Sequence, residues 1–262
     1  MDQPSAALQA AIRTLGATAR ERVFALEYEG RRLWVKRPGL PRLRSSVLMQ
    51  RGLAFLTGLA MLKPPRQSAG QAGLRVEAEA LQILAKDGWP VPPVIALSPE
   101  WLLLGDAGQS VESLLGREND PMLRRDLIAA CADLLSRLHA GGHWHGGAQI
   151  RNFSWAEGKP GLLDLEDHDL PGMSLNQRQA RDLLLFLYSL TRYDRDPAAP
   201  LLMPLAQTLV RAARPETRAE LARLHRRIGW VIRLAKPFAA KAGRDIRQAL
   251  AAEAALDAAL QN

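Results

Sequence analysis

Polar side chains that can bind charged groups recur at points along this sequence where a predicted element begins or ends. Lys36 ends a strand-like stretch, Glu77 and Glu79 lie in a helical pattern, and Asn152 and Asp164 follow further along the chain. A lysine can bind an anion, and carboxylate and amide oxygens are the ligands that hard cations such as Mg²⁺ prefer. Each type also has a structural interpretation: a lysine protects a sheet edge, glutamates form a solvated helix face, an asparagine occupies a turn, and an aspartate caps a helix. The residue types alone leave both interpretations open.

The first part of the chain predicts a small sheet and a helix. Residues 23–29 and 31–36 are rich in β-branched and aromatic side chains and meet at Gly30, which predicts a hairpin. Apolar residues recur at helical spacing over 74–87. Two further strands are predicted at 94–97 and 101–104, just before a glycine-rich break.

The rest of the chain is predicted to be mainly helical. Helical patterns cover 124–140, 177–193 and most of 204–260, whereas 162–165 predicts a short buried strand. Strands followed by helices favour an α+β fold with a small antiparallel-sheet N-lobe and a larger helical C-lobe. We place the boundary at the glycine-rich break, so that the N-lobe is residues 1–105 and the C-lobe residues 106–262.

The composition indicates a basic globular protein. Lysine and arginine total 35 and aspartate and glutamate 27, which gives a formal charge of +8 and a pI near 10.2. This balance suits a nucleotide, a phosphorylated glycan, a membrane surface or a nucleic acid, and charge alone does not choose among them. The single cysteine, Cys131, excludes an internal disulfide and a multi-cysteine metal site.

Two segments bear on location. Residues 1–20 contain no uninterrupted apolar stretch, so they do not resemble a secretory signal, and we expect a cytoplasmic protein. A helical pattern covers 42–62, but its apolar part, 52–62, is far shorter than the ~20 residues that span a bilayer. It predicts a buried helix or, because basic residues flank it, a peripheral contact with an anionic membrane.

Four segments, taken in order, resemble the motifs of the protein-kinase-like superfamily. Residues 33–36 are similar to its third-strand lysine motif, 77–81 to the helix whose glutamate pairs with that lysine, 145–152 to the catalytic loop, and 164–166 to the metal-binding Asp-Phe-Gly motif. Each motif is weak alone, whereas four in order with compatible elements are specific. The resemblance covers about residues 20–195 and implies a bilobal fold.

Within this superfamily the chain resembles the bacterial lipopolysaccharide core sugar kinases, which include heptose kinases and 3-deoxy-D-manno-octulosonic acid kinases. Residues 34–36, the turn at 88–92, residues 102–106 and the helix around Asp182 carry this likeness. It implies phosphoryl transfer from ATP to an anionic small-molecule or glycolipid acceptor at the cytoplasmic membrane face. It also implies that Asp182 hydrogen-bonds the catalytic-loop backbone, the alternative being an exposed pair with the neighbouring arginine.

The resemblance assigns roles to the residues introduced above. Lys36 would contact the phosphates of ATP, and Glu77 would orient the lysine, with Glu79 as the alternative. Asn152 and Asp164 would hold Mg²⁺ through oxygen atoms. Most of the catalytic effect would then come from charge placed around the phosphoryl group in transfer.

The chain departs from the superfamily in three places. Gly147 stands where the catalytic aspartate belongs, and His145, which we expect to brace the loop, and Asp167 are the nearby groups that could replace this base. A missing general base costs about 10²- to 10⁴-fold in rate. Only Gly16 precedes the first strand, so no glycine-rich phosphate loop is recognisable, and Trp34 occupies a position where many kinases keep a small residue above adenine.

Three functions remain open at this point. The first is an ATP-dependent kinase acting on a lipopolysaccharide core sugar or a similar small acceptor. The second is a pseudokinase that binds nucleotide or a partner without turnover, which Gly147 favours. The third is a nucleic-acid-associated kinase-like protein, suggested by recurring cations between residues 223 and 247, but clusters of this kind are usually solvated helix faces, so nucleic acid is the least favoured partner.

Overall fold

A four-stranded antiparallel sheet forms the first part of the protein. The computed structural model describes residues 4–39, 70–194, 200–235 and 244–261. The sheet has the order β1-β2-β4-β3, and its strands are β1 (Val23–Tyr28), β2 (Arg31–Lys36), β3 (Val94–Leu97) and β4 (Leu102–Gly105). The strands predicted for this region are therefore confirmed, with small shifts at their ends.

The β1-β2 hairpin determines where Lys36 lies. Its turn consists of Glu29 and Gly30, both with positive φ, as expected for a two-residue hairpin loop. In the register of the two strands, Val23 lies opposite Lys36, at the end of the hairpin far from this turn. Lys36 thus lies on a central strand of the sheet, because β2 pairs with β1 on one side and with β4 on the other.

Two helices pack on this sheet. They are α1 (Ala6–Thr18), which the sequence analysis did not predict, and α2 (Gln71–Lys86), which confirms the pattern over 74–87. Leu33 and Val35 of β2 join an apolar cluster with residues of α1. Because side chains alternate along a strand, Trp34 and Lys36 lie on the other face of the sheet.

The second part of the chain is mainly helical. Its strands form a sheet of order β5-β6-β7, with β5 (Gln109–Ser110), β6 (Phe153–Ala156) and β7 (Lys159–Leu162). Its helices are α3 (Val111–Arg117), α4 (Pro121–Ala140), α5 (Leu175–Leu190), α6 (Leu202–Ala212), α7 (Pro215–Ala235) and α8 (Arg244–Leu260). The predicted α+β class is confirmed, and the division into lobes at residue 105 stays a prediction.

Helices α4 and α5 form the centre of the larger apolar core. Leu135 and Leu138 of α4 and Phe186 of α5 are buried there, together with Phe153 of β6. The edge-to-face contact of Phe153 with Phe186, at 5.4 Å between ring centroids, packs the small sheet against α5. The loop before β6 and the loop after β7 both contact α5, through Asp182 and Arg178.

One strand predicted from the sequence is partly wrong, and one predicted segment lies outside the described residues. The strand predicted at 162–165 is wrong beyond Leu162, since Asp164 has a φ of 57° and cannot continue a ladder, although Leu165 is buried as its apolar character suggested. The segment 42–62, with its proposed membrane contact, lies outside the described residues. Among the helices that the structure does describe, none is long and apolar enough to cross a bilayer.

Candidate active site

Lys36 and Glu77 form a buried ion pair. The lysine Nζ lies 2.6 Å from the Glu77 Oε2 atom, and the two residues are 5% and 1% exposed. Burial opposes the charged form of Lys36, but the carboxylates around it outweigh burial and raise its pKa above the ordinary value. Helix α2 determines which glutamate is used, because Glu77 faces the sheet while Glu79 is exposed.

A third segment brings Asp164 to the same lysine. Its Oδ1 atom lies 2.5 Å from Lys36 Nζ. The left-handed backbone of Asp164 turns the chain after β7, which brings the carboxylate back towards the sheet. Burial favours the neutral acid, but the charge of Lys36 and its hydrogen bond outweigh burial and lower the pKa of Asp164. This carboxylate is therefore ionised at neutral pH.

Two residues that the sequence analysis did not assign complete this charged cluster. Glu166 Oε2 lies 3.4 Å from Lys36 Nζ and 2.6 Å from a terminal nitrogen of Arg22. Carboxylate oxygens of Glu77, Asp164 and Glu166 all lie within 4.8 Å of one another. Three carboxylates thus lie around two cationic side chains, so the cluster has an excess of negative charge that a further cation could neutralise.

The position of Arg22 follows from the strand register. Arg22 directly precedes Val23, the residue opposite Lys36, so its side chain lies at the lysine end of the sheet. Its Nε atom also donates to the carbonyl oxygen of Arg37, which orients the guanidinium. Arg22 therefore lies at the edge of the cluster, on the side where β1 begins.

The catalytic-loop segment is held by a buried aspartate on α5. Asp182 accepts hydrogen bonds from the main-chain N–H groups of His145 and Gly146, at 2.6 and 2.8 Å, and its Oδ2 lies 3.2 Å from His139 Nε2. Asp182 is fully buried, so the alternative of an exposed pair with Arg181 is wrong. The resemblance had implied this backbone contact.

His145 lies inside the loop rather than in an open cleft. It is fully buried, and its Nδ1 atom accepts a hydrogen bond from the Gly147 N–H at 3.2 Å. Burial lowers the pKa of His145, so the imidazole is neutral at physiological pH. This geometry agrees with a bracing role.

Asn152 also contacts the loop at Gly147. Its Nδ2 atom donates to the Gly147 carbonyl oxygen at 2.8 Å, from a 3₁₀ turn at Ile150–Asn152. Because the two amide atoms of a side chain point in different directions, this bond aims Oδ1 away from the Gly147 carbonyl.

The two loop glycines differ in what they require. Gly146 has a φ of 91°, and a Cβ there would collide with the Asp167 carbonyl, so glycine is needed. Gly147 lies outside the left-handed region, and a Cβ built on it would lie 3.4 Å from Asp167 Oδ2 and 3.5 Å from Asp167 Cβ. The loop is therefore closely packed against Asp167.

Asp167 has an unusual electrostatic environment. Burial, followed by the negative charges of Glu166 and Asp164, raises its pKa to about 6, while Arg181 opposes the rise. Arg181 also places its Nε atom 3.4 Å from the Gly146 carbonyl oxygen.

On the same sheet face as Lys36, Trp34 is tied to the segment that follows β4. Its Nε1 atom donates to Asp106 Oδ1 at 2.9 Å, and the guanidinium of Arg32 lies 5.1 Å from its ring centroid. The indole thus links β2 to the chain just beyond Gly105.

Known proteins show what the fold resembles. No protein-family profile matches the chain. An uncharacterized protein of Haemophilus influenzae is 29% identical over 230 residues, which cover 86% of each chain. Among solved structures, WaaP in complex with acyl carrier protein has a TM-score of 0.50 and 17% identity, over 84% of this chain and 87% of that one.

Two further solved structures are similar over most of this chain. The Rio2 kinase of Chaetomium thermophilum, in a complex with ADP, Mg²⁺ and phosphoaspartate, has a TM-score of 0.45 and 15% identity, over 96% of this chain and 75% of that one. The gentamicin complex of APH(2″)-IIa has a TM-score of 0.37 and 10% identity, over 99% of both chains. The chain has the fold of the protein-kinase-like superfamily, as its motifs indicated.

Proposed function

We propose that the protein is an ATP-dependent phosphotransferase. The observation that carries the proposal is the convergence of Lys36, Glu77 and Asp164, which come from a strand, a helix and a loop far apart in sequence and meet within 2.6 Å of one lysine nitrogen. Burying a lysine and its carboxylate partners is costly, since desolvation of each ion costs several kcal/mol. A functional role for the buried charge would explain why the chain keeps it. Phosphoryl transfer uses such a charge to position and stabilise the phosphates.

The residues present fit a nucleotide with Mg²⁺. Asp164 offers an ionised carboxylate whose side chain is 37% exposed, and Asn152 offers an amide oxygen beside the loop. Oxygen ligands of this kind are those that Mg²⁺ prefers, and the ion would neutralise charge on the phosphates. Lys36 and Arg22 would bind phosphate oxygens, so that Arg22 takes over part of the work of the absent glycine-rich loop.

A sugar of the lipopolysaccharide core is the acceptor that we propose. The sequence motifs and the fold shared with WaaP, a lipopolysaccharide core heptose kinase, support this class. The formal charge of +8 suits an anionic glycolipid at the inner face of the cytoplasmic membrane, where the protein would bind peripherally.

The test is phosphoryl transfer from γ-labelled ATP to purified lipopolysaccharide core that carries heptose and 3-deoxy-D-manno-octulosonic acid. Wild-type protein should label the glycolipid in the presence of Mg²⁺, and Asp164→Asn should not. Glu79→Gln is the matched control, because Glu79 is exposed on the same helix as Glu77. Release of labelled inorganic phosphate by ATP hydrolysis, with no label on the glycolipid, would contradict the acceptor assignment.

Binding of nucleotide or a partner without turnover is the second candidate, and Gly147, which stands where a catalytic aspartate belongs, favours it. In the superfamily a small residue at the position of Trp34 leaves room for adenine, so the indole would have to move. Trp34→Ala should then raise the affinity for ATP, as measured by calorimetry. Strong binding of ATP to the wild type, with neither phosphorylation of the glycolipid nor hydrolysis of ATP, would support this candidate over the first.

A further inference from the structure

We propose that Asp167 is the catalytic base of this protein, supplied from the loop after β7 instead of from the catalytic loop. The proposal rests on the proposed phosphotransferase function and adds the residue that completes it. The absence of a carboxylate at Gly147 is then a relocation of the base and not a loss.

The geometry at Gly147 carries the proposal. A side chain at this position would start 3.4 Å from Asp167 Oδ2 and 3.5 Å from Asp167 Cβ. The Asp167 carboxylate thus lies in contact with the position that the Cβ of a catalytic aspartate at 147 would occupy. A Cβ at 147 would meet Asp167 in ordinary van der Waals contact, and an acidic side chain there would place a second carboxylate beside it.

The two loops are held together on both sides of this contact. The main chain at Gly146 approaches the Asp167 carbonyl so closely that only glycine fits. One residue further on, the His168 carbonyl accepts a hydrogen bond from Trp144 Nε1 at 3.0 Å, and the Trp144 and His168 rings stack at 4.3 Å. Asp167 therefore has a defined position relative to residues 144–147.

The other candidates near the loop are paired with cations or fully buried. Asp164 and Glu166 are paired with Lys36 and Arg22. His145 is fully buried and uses Nδ1 to accept the Gly147 N–H. Asp167 is the acid of residues 164–167 that faces the loop.

The step that we assign to Asp167 is one proton transfer. A hydroxyl oxygen of the acceptor forms a bond to the γ-phosphorus of ATP while the bond between that phosphorus and the β,γ-bridging oxygen breaks, and ADP leaves with the bonding electron pair. The hydroxyl proton moves to the Asp167 carboxylate. General-base assistance of this kind contributes about 10²- to 10⁴-fold in rate.

A carboxylate-exchange experiment tests the proposal with the full chain. Asp167→Asn should reduce transfer to lipopolysaccharide core about 10²-fold or more, while its affinity for Mg·ATP by calorimetry stays within about twofold, because an amide of the same shape replaces a carboxylate that is not a proposed ligand. Asp167→Gly combined with Gly147→Asp should regain at least about tenfold over Asp167→Gly alone. Asp169→Asn, two residues away, is the control and should behave as the wild type.

A readout that does not depend on turnover tests the geometry itself. Gly147→Asp alone would place two carboxylates side by side, so its melting temperature at neutral pH should fall by about 2–4 °C or more, and Asp167→Gly in the same chain should restore it. Additive effects of the two substitutions on melting temperature would contradict the contact.

The outcomes separate this proposal from the proposed function. Wild-type rates in Asp167→Asn, with an active wild type, would overturn the base assignment and leave the phosphotransferase intact. A loss of Mg·ATP affinity as large as the loss of rate would also overturn it, since Asp167 would then serve the nucleotide. A wild type that binds Mg·ATP but neither phosphorylates the glycolipid nor hydrolyses ATP would overturn the proposed function, and the assignment of Asp167 as base would fall with it.

Discussion

The charged cluster around Lys36 and the loop around Gly147 differ in how much they keep of the superfamily's pattern. The cluster brings together Lys36, Glu77 and Asp164, with Glu77 Oε2 2.6 Å and Asp164 Oδ1 2.5 Å from Lys36 Nζ. The loop retains its internal hydrogen bonds but carries glycine where the acid is expected. Charges that bind phosphates must converge on one point from several elements, whereas a base needs only to lie beside the acceptor hydroxyl. The second requirement can therefore be met from another loop.

The largest effect should come from breaking the buried pair at Lys36. Lys36→Met leaves Glu77 buried without its partner, and such a loss costs about 3–5 kcal/mol of unfolding free energy. Denaturant unfolding measures this cost. We also expect no detectable transfer, because the phosphates lose their buried cation.

A second substitution at Glu77 sharpens this result. In Lys36→Met with Glu77→Gln, the buried charge is removed together with its partner, so much of the lost stability should return, while transfer should stay absent. Equal instability of the single and double variants would indicate that the pair is not the source of the cost.

A smaller loss of stability is expected at the loop. Asp182→Asn removes charge from an acceptor of two main-chain N–H groups, and hydrogen bonds to charged groups contribute about 1.5–3 kcal/mol each. Unfolding free energy at neutral pH should fall by about 2 kcal/mol, and transfer should fall with it because the loop loses its support.

The pH dependence of this effect has a definite sign. Burial opposes ionisation of Asp182, but the hydrogen bond and charge of His139 outweigh it and lower the pKa of Asp182. A lowered folded-state pKa gives stability that is present above the unfolded pKa of about 3.9 and is lost as pH falls through the folded value. The difference in melting temperature between wild type and Asp182→Asn should therefore shrink below about pH 4.

The smallest effect on stability is expected at Arg22. Its pair with Glu166 is about one-third exposed on each side, so Arg22→Ala should cost no more than about 1 kcal/mol. Affinity for Mg·ATP should nevertheless fall about tenfold, and affinity for adenosine should not change, because the proposed role of the guanidinium is to bind the phosphates and not the nucleoside. Arg20→Ala is the control, since Arg20 is exposed nearby. Equal losses for ATP and adenosine would contradict a phosphate role.

The first sheet and the pairing of Lys36 with a glutamate of α2 could be predicted because each part has a local signal. Lys36 ends a strand with clear alternation, and Glu77 lies on the buried face of a helix with regular apolar spacing. The break after β7 could not be predicted, since Leu165 is as buried as a strand residue would be. The chain turns there through the positive φ of Asp164, and no local sequence pattern predicts a positive φ at an aspartate.

The remaining contacts depend on distances across the fold. Arg22 meets Glu166 although 144 positions separate them, and Trp34 meets Asp106 across 72. Both pairs follow from strand register and loop direction, which short motifs do not contain. The contact of Asp167 with Gly147 is of the same kind, and sequence could name Asp167 only as one of two nearby groups.

Calorimetric titration of Mg·ATP into wild type, Asp164→Asn and Asp167→Asn tests the central claim most directly, namely that the nucleotide end of the site is intact. We predict that the wild type binds, that Asp164→Asn binds at least about tenfold more weakly because it loses a charged oxygen ligand, and that Asp167→Asn binds as the wild type does. Circular dichroism spectra of all three proteins check that they are folded. Equal weakening in the two variants, or no binding to the wild type, would contradict the account.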